Sequence, residues 1–103
     1  MGYEEVIDKT KRYSELVIDF LHPKMILLYG SYAKGTARNE SDIDIAIICD
    51  SLGEDFLEKA HQLFKLRRGI DSRIEPVLIE QDNDESGFYE EVLRTGEVIY
   101  AAQ

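Results

Sequence analysis

The densest chemistry in this chain lies at Asp42 and Asp44, two aspartates one residue apart at the mouth of the β-branched run Ile43–Cys49, IDIAIIC. Aspartate is a poor strand former, so the placement asks for a reason. Residues two apart on a strand share a face, which points both carboxylates one way and Ile43, Ile45 and Ile47 the other. Carboxylates held side by side repel and favour a divalent cation between them. The plainer reading ends a turn at Asp42 and leaves Asp44 solvated on the wet face of a sheet. A third carboxylate, Glu75, sits inside another strand-like run, SRIEPVLIE. If the two strands are neighbours, Glu75 faces the same patch; otherwise it is a surface residue. Three carboxylates on adjacent strands outline a two-metal phosphate site, in which metals bridge phosphate oxygens and activate an attacking hydroxyl.

The aspartates are reached through Gly30-Ser31-Tyr32-Ala33-Lys34-Gly35-Thr36. This loop has the outer glycine spacing of a P-loop, but a P-loop needs lysine directly after its second glycine, where Thr36 stands. A P-loop is therefore rejected. What survives is a strand ending in Gly-Ser and followed by a helical turn, which offers backbone N–H groups and a hydroxyl to an anion. The alternative is a tight turn whose serine caps a helix.

The surrounding elements must hold these groups. Val6, Ile7, Tyr13, Leu16, Val17, Phe20 and Leu21 recur at helical spacing and predict an amphipathic helix over 4–21, ended at His22-Pro23. KMILLY (24–29) and IDIAIIC (43–49) predict strands. Ser51 and Glu54 have the form of a capping box, followed by Phe56, Leu57, Ala60, Leu63 and Phe64 on a second helix stopped by Gly69. Pro76 makes the third strand, 72–80, an edge or irregular one. A polar turn at 81–86, a short helix carrying Phe88, Tyr89, Val92 and Leu93 closed by Gly96, and a last strand at 97–100 complete the order. The expected fold is α/β (α+β), a small mixed sheet with helices packed on it.

The bulk composition excludes several classes. The 103 residues suit one domain, 1–103, and 32% charged with 44% hydrophobic residues describes an ordinary globular chain. No run approaches the roughly 20 apolar residues of a membrane span, no signal peptide precedes the first helix, and a lone Cys49 forms no internal disulfide; these favour the cytoplasm. A net charge of −9 argues against an extended nucleic-acid groove and suits a basic protein partner. Asp82–Gly87 imitates the start of an EF-hand, but Leu93 stands where its bidentate glutamate belongs. His22 and His61 have no metal-ligand spacing, and Cys49 reads as a small core side chain.

Gly30-Ser31, ten intervening residues, then Asp42-Ile43-Asp44 resembles the signature of the DNA polymerase β-like nucleotidyltransferase superfamily, and the short chain is similar to its minimal nucleotidyltransferases. The resemblance implies a palm-like fold in which Gly30 and Ser31 hold the triphosphate of ATP. It implies that Asp42, Asp44 and Glu75 are catalytic and bind two Mg²⁺ ions, and that Lys34 and Arg38 help neutralise phosphate. Many members have aspartate where Glu75 stands. Minimal members are commonly antitoxins paired with HEPN-domain toxins, some transferring AMP to a toxin tyrosine. The resemblance thus implies a Mg²⁺-dependent adenylyltransferase antitoxin. The alternatives are an antitoxin acting by occlusion and a small-molecule nucleotidyltransferase. So small a domain does not enclose a large acceptor, so the acceptor arrives on another molecule or the site is shared across a subunit interface, a homo-oligomer included.

Overall fold

The structure is a computed structural model that describes residues 2–38, 41–83 and 87–102. Helix α1 (Tyr3–Leu21) leads into strand β1 (Met25–Tyr29) and a single helical turn, α2 (Ser31–Lys34). Strand β2 (Ile43–Cys49) is followed by helix α3 (Phe56–Leu66), strand β3 (Ile74–Glu80), helix α4 (Phe88–Thr95) and strand β4 (Glu97–Ala101). The sheet order is β3-β2-β1-β4. β1 runs antiparallel to β2 and to β4, and β3 runs parallel to β2. The sheet is mixed, as expected, with α3 as the crossover that a parallel pair requires.

Strand alternation divides the core. Ile43, Ile45 and Ile47 join Ile26, Leu28 and Ile74 beneath α1 and α3, while Leu27, Ala46, Ile48 and Ile79 lie beneath Val92 of α4. β2 is therefore buried on both faces beyond Asp44, which explains its nearly continuous apolar run.

α1 turns Val6, Thr10, Tyr13, Ser14 and Val17 inward. The two hydroxyls are satisfied within the helix: Thr10 donates to the Val6 carbonyl (2.8 Å) and Ser14 to the Thr10 carbonyl (2.7 Å). Leu16, expected on this face, is exposed. Tyr13 reaches across and donates to the Leu63 carbonyl of α3 (2.6 Å), and Lys59 of α3 lies 4.8 Å from the Phe20 ring centroid. α1 ends at His22, whose left-handed conformation (φ 53°) returns its N–H to the Ile18 carbonyl.

Several local expectations are corrected. Ser51 and Glu54 do not form a capping box: a 3₁₀ turn over Gly53–Asp55 precedes α3, and no side chain caps either start. The Glu80 carboxylate instead accepts the Leu52 N–H (2.9 Å), tying the chain after β2 to the end of β3. On α3, Phe56, Ala60 and Leu63 face the core, but Leu57 is 78% exposed and Phe64 lies on the same outer side. Past Leu66, α3 tightens into a 3₁₀ turn over Arg67–Gly69, so the helical run ends at Gly69 as expected. Gly96 ends α4, as expected, and does so with extended backbone (φ −86°). A Cβ there would meet the Val92 carbonyl oxygen at 2.6 Å and the Leu28 carbonyl oxygen at 3.1 Å, so close approach to β1 demands glycine. The EF-hand-like stretch and the polar turn fall partly outside the described residues. Cys49 is buried, and burial, then Asp50 and Glu80, pushes its thiol up to about 11.

The edge position of β3 is borne out. Ile43 donates its N–H to the Arg73 carbonyl (2.8 Å). Alternation then turns the backbone groups of Ile74 and Pro76 outward, where proline has no donor to leave open. The entry to this strand is held by Asp71. Its carboxylate, 8% exposed, accepts from Lys9 of α1 (2.7 Å), from the Arg73 N–H (2.8 Å) and from the Arg73 guanidinium (3.0 Å). Burial alone would raise its pKa, but these bonds, led by Lys9, outweigh burial and bring it down to about 2.

A carboxyl lowered on folding stabilises the native state above its unfolded pKa and loses that contribution as pH falls through its folded value. Asp71 therefore supports the fold by about 2 kcal/mol above pH ~4, lost toward pH ~2. Urea unfolding of Asp71→Asn at a series of pH values should show a deficit of that order near neutrality that closes in acid. A deficit unchanged across this range would refute the assignment.

Candidate active site

The candidate site lies where β1, β2 and β3 meet. The register sets Tyr29 opposite Asp44 and Asp44 beside Glu75, so the three form a row across adjacent strands. Their shared side is the α4 face, because Asp44 lies in step with Ala46 and Ile48, and Tyr29 with Leu27, two residues apart along their strands. The expectation that Glu75 neighbours the aspartate pair on an adjacent strand is thus met by the parallel β2–β3 pairing.

Gly30 shows why the loop begins as it does. Its backbone (φ 73°, ψ −149°) is one that a residue with a Cβ rarely adopts. A Cβ at Gly30 would stand 2.3 Å from Asp44 Oδ2. The Asp44 carboxylate therefore rests against the Gly30 backbone, and the loop and the acidic strand form one surface. Ser31 is the first residue of α2, and no side-chain hydrogen bond caps that turn, so the serine-cap alternative is not what forms. The turn closes through Lys34 N–H to the Gly30 carbonyl (3.1 Å) and Thr36 N–H to the Ser31 carbonyl (2.9 Å). The first N–H groups of a helical turn have no partner within it and face outward from its start.

The rest of the loop is tied through the Arg38 backbone. Buried Tyr32 donates its hydroxyl to the Arg38 carbonyl (3.2 Å), the Arg38 N–H donates to Ser41 Oγ (2.8 Å), and the Ser41 N–H donates to the Arg38 carbonyl (3.0 Å). The Lys34 and Arg38 side chains are exposed on this loop.

The electrostatics mark Asp44 as the centre. Burial raises its pKa, and the charges of Asp42 and then Glu75 raise it further. Tyr29 is pushed up to about 12 by burial, with Asp44 and Glu75 adding to the effect. Sequence reasoning placed Tyr29 only within an apolar strand; its place directly before Gly30 and across from Asp44 is what brings it into the row. Its ring meets Phe88 of α4 edge-on, with centroids 5.6 Å apart. Among the described residues no three His, Cys, Asp or Glu side chains converge closely enough to hold a metal ion. The three carboxylates are thus neighbours without being gathered into a ligand cage. Their chemistry still fits a hard divalent cation: all donors are oxygen, and the mutual repulsion at Asp44 is relieved by added positive charge. Glu75 is engaged elsewhere, with its Oε1 3.7 Å from Arg67 Nη1.

A mixed sheet bearing a Gly-Ser turn against an Asp-x-Asp strand defines a nucleotidyltransferase fold. The chain belongs to the family described as Polymerase beta, Nucleotidyltransferase, which matches residues 7–103. A structure from Sulfolobus solfataricus, provisionally described as a nucleotidyltransferase, shares the fold with a TM-score of 0.71 at 15% identity, covering 96% of this chain and 83% of that one. A toxin–antitoxin structure with AMP-PNP is 26% identical with a TM-score of 0.64 over 90% of this chain and 74% of that one. A toxin–antitoxin complex named MntA-HpeT, carrying a tyrosine-to-alanine substitution, is 27% identical with a TM-score of 0.62 over 89% and 72%. Among curated protein sequences none matches significantly.

Two substitutions separate the geometry from the charge. Gly30→Ala forces a methyl into Asp44 at positive φ and should cost roughly 1–3 kcal/mol in urea unfolding. Asp44→Asn removes repulsion and should leave the metal-free protein at least as stable as the parent. A clear loss of stability in Asp44→Asn would show that its charge supports the fold.

Proposed function

We propose that this chain is a Mg²⁺-dependent nucleotidyltransferase that moves AMP from ATP to a hydroxyl of a partner protein, a tyrosine of a HEPN-type toxin, and so acts as its antitoxin. One observation carries the reading: the Gly30 backbone packed on the Asp44 carboxylate, with Glu75 in register beside it. Family membership supports the reaction class, and the AMP-PNP complex of a similar toxin–antitoxin protein supports adenosine triphosphate as donor. The named complexes of similar chains support a toxin as partner.

In this reading Gly30 lets phosphate approach the backbone, and Ser31 donates its hydroxyl and N–H to the triphosphate oxygens. Lys34 and Arg38, exposed on the same loop, offset its charge. Asp42 and Asp44, joined by Glu75, would hold two Mg²⁺ ions, which when bound neutralise phosphate charge and favour an ionised acceptor. The acceptor oxygen bonds to the α-phosphorus, the bond from that phosphorus to the bridging oxygen breaks, and pyrophosphate leaves. Glu75 takes the acceptor proton. The whole of 1–103 acts as one minimal nucleotidyltransferase domain, in the cytoplasm. Among the described residues no helix is long and apolar enough to cross a membrane.

The ion pair that engages Glu75 favours a second reading, in which the chain neutralises its partner by occlusion without chemistry. Intact mass spectrometry of the partner toxin, after incubation with this chain, ATP and Mg²⁺, decides between them. Transfer predicts added AMP units that disappear, by at least a hundredfold in rate, with Asp42→Ala or Asp44→Ala. An unchanged mass within a stable complex would select occlusion.

A further inference from the structure

Arg67 lies at the end of α3, on the far side of the sheet from the acidic row, and reaches around the open edge of β3. Its Nη1 donates to two backbone carbonyls, of Ser72 and Ile74, each at 2.9 Å. Its guanidinium lies 5.1 Å from the centroid of the Phe64 ring, which α3 leaves on its outer side. Both hydrogens of Nη1 are thereby committed. The Glu75 oxygen 3.7 Å from the same nitrogen is held by charge and not by a directional hydrogen bond.

The two partners differ in freedom. Arg67 is fixed by carbonyls and a ring. The Glu75 side chain is 41% exposed and has one methylene more than aspartate, so it is the member able to move. The register puts it directly beside Asp44, yet no three-carboxylate cluster is gathered among the described residues.

We infer that Arg67 is a positioning residue that holds Glu75 out of the acidic cluster until a divalent cation replaces the Arg67 charge. This inference rests on the metal-dependent reading above and adds to it a switch in the site's assembly. The third carboxylate joins by changing partners, and Arg67 sets how much cation that exchange requires. Removing the guanidinium frees Glu75 and tightens cation binding, whereas a purely structural role for Arg67 would lower stability without tightening it.

The test is a calorimetric titration of the full chain with Mn²⁺ alone, without nucleotide. Arg67→Gln should bind Mn²⁺ roughly two- to fivefold more tightly than the parent, the range of an exposed ion pair. In a Glu75→Gln background the same substitution should have no effect, which isolates the pair from general electrostatics. Equal or weaker binding by Arg67→Gln overturns the inference and leaves the nucleotidyltransferase reading intact. Absence of Mn²⁺ binding by the parent overturns both. Because Arg67 also anchors backbone, the unaltered chain supplies an independent measurement by NMR under Mg²⁺ titration. The Glu75 carboxyl and Arg67 guanidinium resonances should shift together, and an Arg67 signal that stays fixed while Glu75 moves overturns the exchange.

Discussion

Asp44 is a carboxylate that the fold keeps partly buried, under the repulsion of Asp42 and Glu75 and with a glycine backbone against its oxygen. No packing argument favours such a group. Burial and like charge both oppose its ionised form, and an apolar residue continuing the run from Ile45 would suit β2 better. The surrounding structure reads as compensation. β2 lies at the centre of the sheet, hydrogen-bonded on both sides, and its remaining residues are buried on both faces. A local conflict held in place by an otherwise consistent fold sets Asp44 apart from the residues that serve packing alone.

The junction of α1, α3 and β3 adds the opposite kind of electrostatics. Lys9 and Arg73 converge on buried Asp71, and Arg67 reaches the edge carbonyls and Glu75. Tyr13 fixes α3 from the α1 side through the Leu63 carbonyl. In a chain of net charge −9, these cations are spent on the start of the strand that carries Glu75. The strand entering the site is thus rigidly placed even though it is an edge.

Much of this was legible because it depends on alternation and spacing. Period-two patterning placed Asp42 and Asp44 with their back to the core isoleucines, and Pro76 alone indicated an edge strand. What failed were features that local pattern does not encode. Leu57 and Phe64 have helical spacing, but which arc of α3 faces the sheet depends on the crossover angle. Thr10 and Ser14 look polar yet satisfy themselves on carbonyls four residues back and pack inside. Ser51 and Glu54 had the right letters, but the bond that matters there comes from Glu80, 28 residues away from Leu52. At the site, Tyr29 went unread because its partner Asp44 lies on another strand, and Arg67 because its reach to Ser72, Ile74 and Glu75 depends on how the chain turns from α3 into β3.

The order of the strands has a consequence for how the molecule forms. Gly30, Ser31, Asp42 and Asp44 sit at the ends of one antiparallel pair, β1 with β2, whose loop is shorter and quicker to close than the one that joins β2 to β3. Glu75 enters only when residues 50–73 have wound into α3 and returned β3 to the other side of β2. Parallel pairing closes the longer loop, and its contacts come late on topological grounds. A chain emerging from synthesis therefore lays down its glycine turn and aspartates early and adds the remaining carboxylate late. Completion of the acidic row and completion of the sheet are thus one closure, that of β3 on β2.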